Sequence, residues 1–151
     1  MIPIDGSKLA HVALEKGVEL AKIHDSEVEI LHVTTSSESY TPLMSTQGHG
    51  PQKGSTPPEW ITEYMENIRQ THKQMLDDSL KYAKKAAPDL DITTKLLTGG
   101  AADNILDESK RGKFDLIIIG SRGLGGLRGF VLGSVSHNVV NRSKIPVLII
   151  K

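Results

Sequence analysis

The sequence predicts an α/β domain: one open, doubly wound sheet of five parallel strands, order 3-2-1-4-5, with helices on both faces. Three observations carry the prediction. Short β-branched apolar runs alternate along the chain with segments whose apolar residues recur every three or four positions. Several runs are apolar at successive residues, as in strands buried on both faces of a parallel sheet. A glycine cluster follows one such run and precedes a helix, the place where doubly wound sheets bind ligands. The 151 residues are expected to form one domain over 1–151, since a domain typically holds roughly 100–200 residues.

Met1 to Ile4 reads as a short first strand, turned by Asp5-Gly6-Ser7. Ser7 is a natural N-cap for a helix to about residue 23, with Leu9, Val12, Ala13, Gly17, Leu20 and Ala21 on one face. Val28 to Val33 is the second strand. Residues 34–57 are rich in Ser, Thr, Gly and Pro without periodicity and read as a long mobile loop. Pro57 and Pro58 suit the first turn of a helix running to Ala87, where Pro88 stops it. Its stripe is Ile61, Tyr64 or Met65, Ile68, Met75 or Leu76, Leu80 and Ala83. Ile92 to Leu97 is the third strand, Gly99-Gly100 a turn, and Ala101 to Lys110 a short helix. Asp115 to Ile119 is the fourth strand, Ser134 to Arg142 the last helix, and Ile145 to Ile150 the fifth strand.

Composition narrows the function. Lys plus Arg and Asp plus Glu both count 18, so no overall field favours nucleic acid or an anionic membrane. The absence of cysteine excludes disulfides, thiolate metal sites and cysteine nucleophiles. No run of about 18 apolar residues suggests a membrane helix, and Met1 to Asp5 lacks the features of a signal peptide. A soluble, cytoplasmic protein is the expectation. The neutral total hides an asymmetry, however. Residues 101–151 carry 8 basic and 4 acidic side chains, with none acidic past Asp115.

Six of the 14 glycines fall between Gly120 and Gly133, with Arg122 and Arg128 among them. Glycine lets backbone amides approach a ligand closely, and a following helix N-terminus adds unpaired amides and about half a positive charge. A mobile surface loop, or glycines kept for tight helix–sheet contact, would leave the same residues. The position at a strand's carboxyl end and the flanking arginines favour a bound phosphate. Familiar fingerprints fail: no Gly-Lys-Ser/Thr makes a P-loop, and Gly123-Leu124-Gly125 is followed by Arg128 where a dinucleotide site needs a small residue. A phospho-receiver would need clustered acids after the first strand, where only Asp5 stands.

Gly120-x2-Gly123-x9-Gly133-Ser134 does fit a pattern. It resembles the G-2x-G-9x-G-[S/T] motif of the universal stress protein family, in its ATP-binding branch. Ile2-Pro3-Ile4-Asp5-Gly6-Ser7 is similar to the family's opening V-P-V-D-G-S, and Glu29 to Val33 to its second strand. Gly99 to Ile105 resembles its G-x-P-A-x-x-I turn, with Ala101 in place of the proline. Asp115 to Gly120 and Pro146 to Ile150 match as well, so the likeness spans the chain outside the 34–57 loop.

The resemblance implies an adenine nucleotide, ATP or ADP/AMP, with any Mg²⁺ or Mn²⁺ held mainly by its phosphates. Asp5, with the backbone of Pro3 and Ile4, would meet the base. Val33 would line the adenine pocket, and Ile119 and Gly120 would approach from the fourth strand. Gly123, Gly133, Ser134, Val135 and Ser136 would hold ribose and phosphates, with Arg122 close by and Arg128 within reach if the loop folds over. The bland alternatives are a turn or N-cap role for Asp5 and a core role for Val33. His32 reads as an ordinary packing residue, and Met65 and Met75 as core. The resemblance also implies a homodimer through the last strand, Val147, Leu148, Ile149 and Ile150, which would otherwise be an exposed edge.

One departure concerns the first strand, which has only Met1 and Ile2 ahead of Pro3. A central strand so shortened is expected to leave neighbouring backbone groups unpaired, costing about 1–3 kcal/mol each if buried. No catalytic constellation is present, so the expected function is a nucleotide-binding regulator or sensor of the stress response with slow or no hydrolysis. The alternatives are an ATP hydrolase or self-phosphorylating enzyme, and a nucleotide-independent dimeric interaction module.

Overall fold

A computed structural model describes residues 1–34, 59–125 and 132–151. The expected 35–57 part of the loop, Pro57, Pro58 and Arg128 lie outside the described residues, as does the side chain of Ile61. The elements run β1 (Ile2–Ile4), α1 (Lys8–His24), β2 (Val28–Thr34), α2 (Glu59–Ala86), β3 (Ile92–Thr98), α3 (Ala101–Arg111), β4 (Ile117–Gly120), α4 (Ser134–Arg142) and β5 (Val147–Ile150). Local chemistry sets several bounds. The Ser7 hydroxyl accepts from the Ala10 amide at 3.2 Å and caps α1, which ends where Asp25 turns left-handed at φ 48°.

All strand pairs are parallel. β1 lies beside β2 with Ile2 opposite Ile30, β2 beside β3 with Val28 opposite Ile92, and β4 beside β5 with Ile117 opposite Val147. The ladders form a three-stranded sheet, β1-β2-β3, and a two-stranded sheet, β4-β5. The expected unbroken five-stranded ladder is therefore not what the hydrogen bonds record. The reason is the shortness of β1: among the described residues the backbone hydrogen bonds to β4 and its lead-in come from Met1, the residue before the strand. The Ile118 amide donates to the Met1 carbonyl, and the Met1 amino group to the Leu116 carbonyl, each at 3.0 Å. Met1 thus satisfies neighbouring groups that a short first strand was expected to leave unpaired, and toward their carboxyl ends β1 and β4 carry no such link among the described residues.

Alternating side chains fill two cores. Ile2, Ile4, Ile30 and Ile92 meet α1 and α2 through Ala13, Leu14, Val18, Leu76 and Ala83. Leu31, Ile117 and Ile119 meet α3 and α4 through Ile105 and Val139. Helices therefore cover both faces, as expected. On α2 the stripe resolves in favour of Met65 over Tyr64, which is exposed, and Leu76 is buried while Met75 is half-buried.

Candidate functional site

The carboxyl ends of β1 and β4, where the two sheets part, border a cavity of about 580 Å³, within the range of small-molecule sites. β1 contributes Pro3, Ile4 and Asp5; β2 contributes Leu31, His32 and Val33; β4 contributes Ile119 and Gly120. The following loop brings Arg122, Gly123, Leu124 and Gly125, and α4 brings Gly133, Ser134, Val135 and Ser136 at its start. Ala101 and Ile105 of α3, His72 and Met75 of α2, Ala10 of α1, and Leu132 complete the wall.

Asp5 is held from two sides. Its Oδ1 accepts from the Ser7 amide at 3.0 Å, and its Oδ2 accepts from the Leu124 amide at 3.1 Å. A Cβ on Gly123 would collide with Oδ2, so glycine is needed there for the loop to close on the carboxylate. Gly120 has a different reason: a Cβ would lie 3.0 Å from the Leu9 carbonyl carbon and 3.1 Å from the Ala10 amide nitrogen. It lets β4 pass close beneath the start of α1. A carboxylate offers about four lone-pair sites, so Asp5 keeps acceptor capacity on the cavity side.

Against the same loop, Gly133 caps α4 without any side-chain hydrogen bond, and no acidic residue lies in the first turn. The first intrahelical bond is His137 amide to Gly133 carbonyl at 2.9 Å, which leaves the amides of the first turn without helical partners. They border the cavity together with Arg122, whose Nε is buried and has no hydrogen-bond partner among the described residues. Ser121 pins this region in place. Its amide donates to the Ile150 carbonyl at 2.7 Å, and its carbonyl accepts from the Gly133 amide at 2.7 Å and from the Ser136 hydroxyl at 2.8 Å. Ser136 also reaches the Gly133 carbonyl at 3.0 Å, so its hydroxyl is committed to the loop and only its amide is left for a ligand.

A scan of family models matches "Universal stress protein family" over residues 1–151. The chain belongs to the universal stress protein family. It is 32% identical over 151 residues to universal stress protein YxiE of Bacillus subtilis, covering 100% of this chain and 97% of that protein. Among solved structures, UspA of Lactobacillus plantarum superposes with TM-score 0.75 at 18% identity, covering 99% of this chain and 94% of that one. A universal stress protein in complex with cAMP gives TM-score 0.68 at 23% identity over 99% and 94% of the two chains. The Archaeoglobus fulgidus universal stress protein in complex with dAMP gives 0.61 at 22% over 100% of both.

The structure brings the twelve residues singled out from the universal stress protein pattern to one cavity: Pro3, Ile4, Asp5, Val33, Ile119, Gly120, Arg122, Gly123, Gly133, Ser134, Val135 and Ser136. Val33 and Ile119 also belong to the second core, so packing and lining are the same surface. Sequence reasoning missed Ser121, Leu124, Met75 and His72. Ser121 and Leu124 stand at unspecified positions of the glycine motif and act through backbone atoms, which no residue type signals. His72 lies 40 positions from His32, with nothing local to join them. Among the described residues no group of three or more His, Cys, Asp or Glu is placed to hold a metal ion, and no helix is long and apolar enough to cross a membrane.

Proposed function

We propose that this chain is an adenine-nucleotide-binding regulatory protein of the stress response, with ATP as ligand and slow or no hydrolysis. The carrying observation is the uncapped start of α4, its unpaired amides bordering the cavity beside the orphaned Arg122 Nε. Unpaired amides at a helix N-terminus, with an arginine beside them, suit a phosphate. Asp5 lies on the β1 side of the same cavity and suits the amino edge of a base or a ribose hydroxyl. The cAMP and dAMP held by two structural neighbours share the adenine that this arrangement would take.

The residues present fit such a ligand: the Gly123 and Gly133 backbone admits close approach, and Arg122 supplies a cation. Mg²⁺ or Mn²⁺ would be held by the phosphates and water, since Asp5 is the only carboxylate among the described residues of the wall. Hydrolysis needs an oriented water and stabilisation of transition-state charge in addition to binding, so a site that holds ATP need not turn it over. In this reading β1 and β4 act as neighbours of one five-stranded order, 3-2-1-4-5, with the two Met1 bonds as the seam. β5, with Leu148 41% exposed, is the edge on which a second copy would pair to give a homodimer in the cytoplasm.

The experiment is to denature the purified protein and identify released nucleotide by chromatography. Near-stoichiometric ATP is expected. Protein that releases nothing, and binds no added ATP with Mg²⁺, overturns the reading. A Gly133→Val variant should lose the bound nucleotide, since the side chain would grow from a point 3.4 Å from the Arg122 Cα.

A further inference from the structure

His32 is 5% exposed in mid-β2, and both of its ring nitrogens are engaged. Nδ1 lies 2.7 Å from the Ile4 carbonyl oxygen, and Nε2 lies 2.7 Å from Nδ1 of His72 on α2. The rings stack with centroids 4.8 Å apart and planes 27° apart. Both line the cavity, close to the strand end that carries Asp5.

Elementary hydrogen-bond chemistry restricts the protons in this arrangement. A carbonyl only accepts, so His32 Nδ1 carries a hydrogen. The two facing nitrogens share one hydrogen between them. With both rings neutral, His72 Nδ1–H donates to His32 Nε2. One added proton is tolerated, because a cationic His32 donates to His72 Nδ1 instead, and the bond becomes charge-assisted. A second added proton places two N–H groups head to head at 2.7 Å, and the rings must part.

We propose that His72, acting through His32, is a positioning residue of the nucleotide pocket and makes ligand affinity proton-linked. The proposal rests on the nucleotide reading given above. The pair ties α2 to the end of β1 and fixes the His72 ring in the wall. Its surroundings bias the first proton without removing the conflict of the second. Asp5, next in the chain to Ile4, favours a cation, but its oxygens are engaged by the Ser7 and Leu124 amides. Arg122 opposes a cation from the same wall, and the other basic groups nearby are Arg69 and Lys73, one turn or less away on α2, and Lys8 and His11 on α1. β3 places Leu96 opposite His32, and α3 brings Ala101 and Ile105, none of which ionise.

Two measurements on the full chain test this. Imidazole nitrogen NMR of the ligand-free protein, from about pH 8 to about pH 4.5, should show two separated steps shared by the rings, with His32 Nδ1 protonated throughout. Independent titration of the two rings near about pH 6.5 overturns the proposal. ATP affinity should fall about tenfold more steeply between about pH 8 and about pH 5 in the wild type than in His72→Gln, whose amide can donate to His32 but cannot titrate. ATP's own protonation cancels in that comparison. Equal ratios in the two proteins overturn the proposal alone, whereas no ATP binding at either pH overturns the nucleotide reading and the proposal with it. Because the ring titration uses wild-type protein, a His72→Gln chain that fails to fold does not remove the test.

Discussion

Gly123 has no side chain because the Asp5 carboxylate stands where one would be, with Oδ2 accepting from the next amide, Leu124, at 3.1 Å. The residue that ends β1 and the loop that follows β4 are 118 positions apart in the chain (123 less 5), yet they close one end of the cavity together. Gly123→Ala should therefore break the Asp5–Leu124 bond, costing about 1.5 kcal/mol in denaturant unfolding, the low end of the range for a hydrogen bond to a charged group because the contact is exposed. In an Asp5→Gly background the same change should cost almost nothing, since the colliding oxygen is gone. A full cost in both backgrounds would show that Gly123 serves something other than Asp5.

Arg122 should discriminate by charge. Arg122→Gln is expected to weaken ATP binding about tenfold, the scale of one charge-assisted contact, and to leave adenosine binding within about twofold. Calorimetry with both ligands checks this. Equal losses for ATP and adenosine would place the side chain away from the phosphates.

Between β3 and α3, Lys95 Nζ meets Glu108 Oε1 at 2.6 Å, and Glu108 is only 3% exposed. Arg111 stands 3.8 Å from the other oxygen. Lys95→Met should destabilise by about 3 kcal/mol because it strands a buried carboxylate, and adding Glu108→Leu should recover most of the loss. Chemical denaturation of the single and double variants reads this directly. An additive double variant would overturn it.

Stability should also fall as pH drops from about 8 to about 6. Burial lowers the Met1 amino group from 8.0 to about 6, against the opposing charges of Glu29 and then Asp115. The unfolded chain binds this proton more readily than the folded one, so stability rises with pH across that window and levels off above it. The span of two units is worth about 2–3 kcal/mol. Acetylating the amino group should remove this share of the slope, and an unchanged slope would refute the assignment.

Much of this protein is legible in the sequence because its signals are local. β-Branched runs set the strands and period sets the helices. Ser7 sets the start of α1, and the Gly120, Gly123 and Gly133 spacing sets the loop. Tertiary structure alone decided three further features. The first is the division into ladders of three and two strands, since the backbone hydrogen bonds that join them come from Met1, ahead of the three residues of β1. The second is the engagement of Asp5 and Ser136, whose oxygens meet backbone atoms of the glycine loop and its borders. The third is the His32–His72 pair, formed when α2 lies against β2. A residue type states what a side chain can donate or accept; which partner it meets depends on backbone brought close from distant positions, and single-sequence periodicity carries no trace of that.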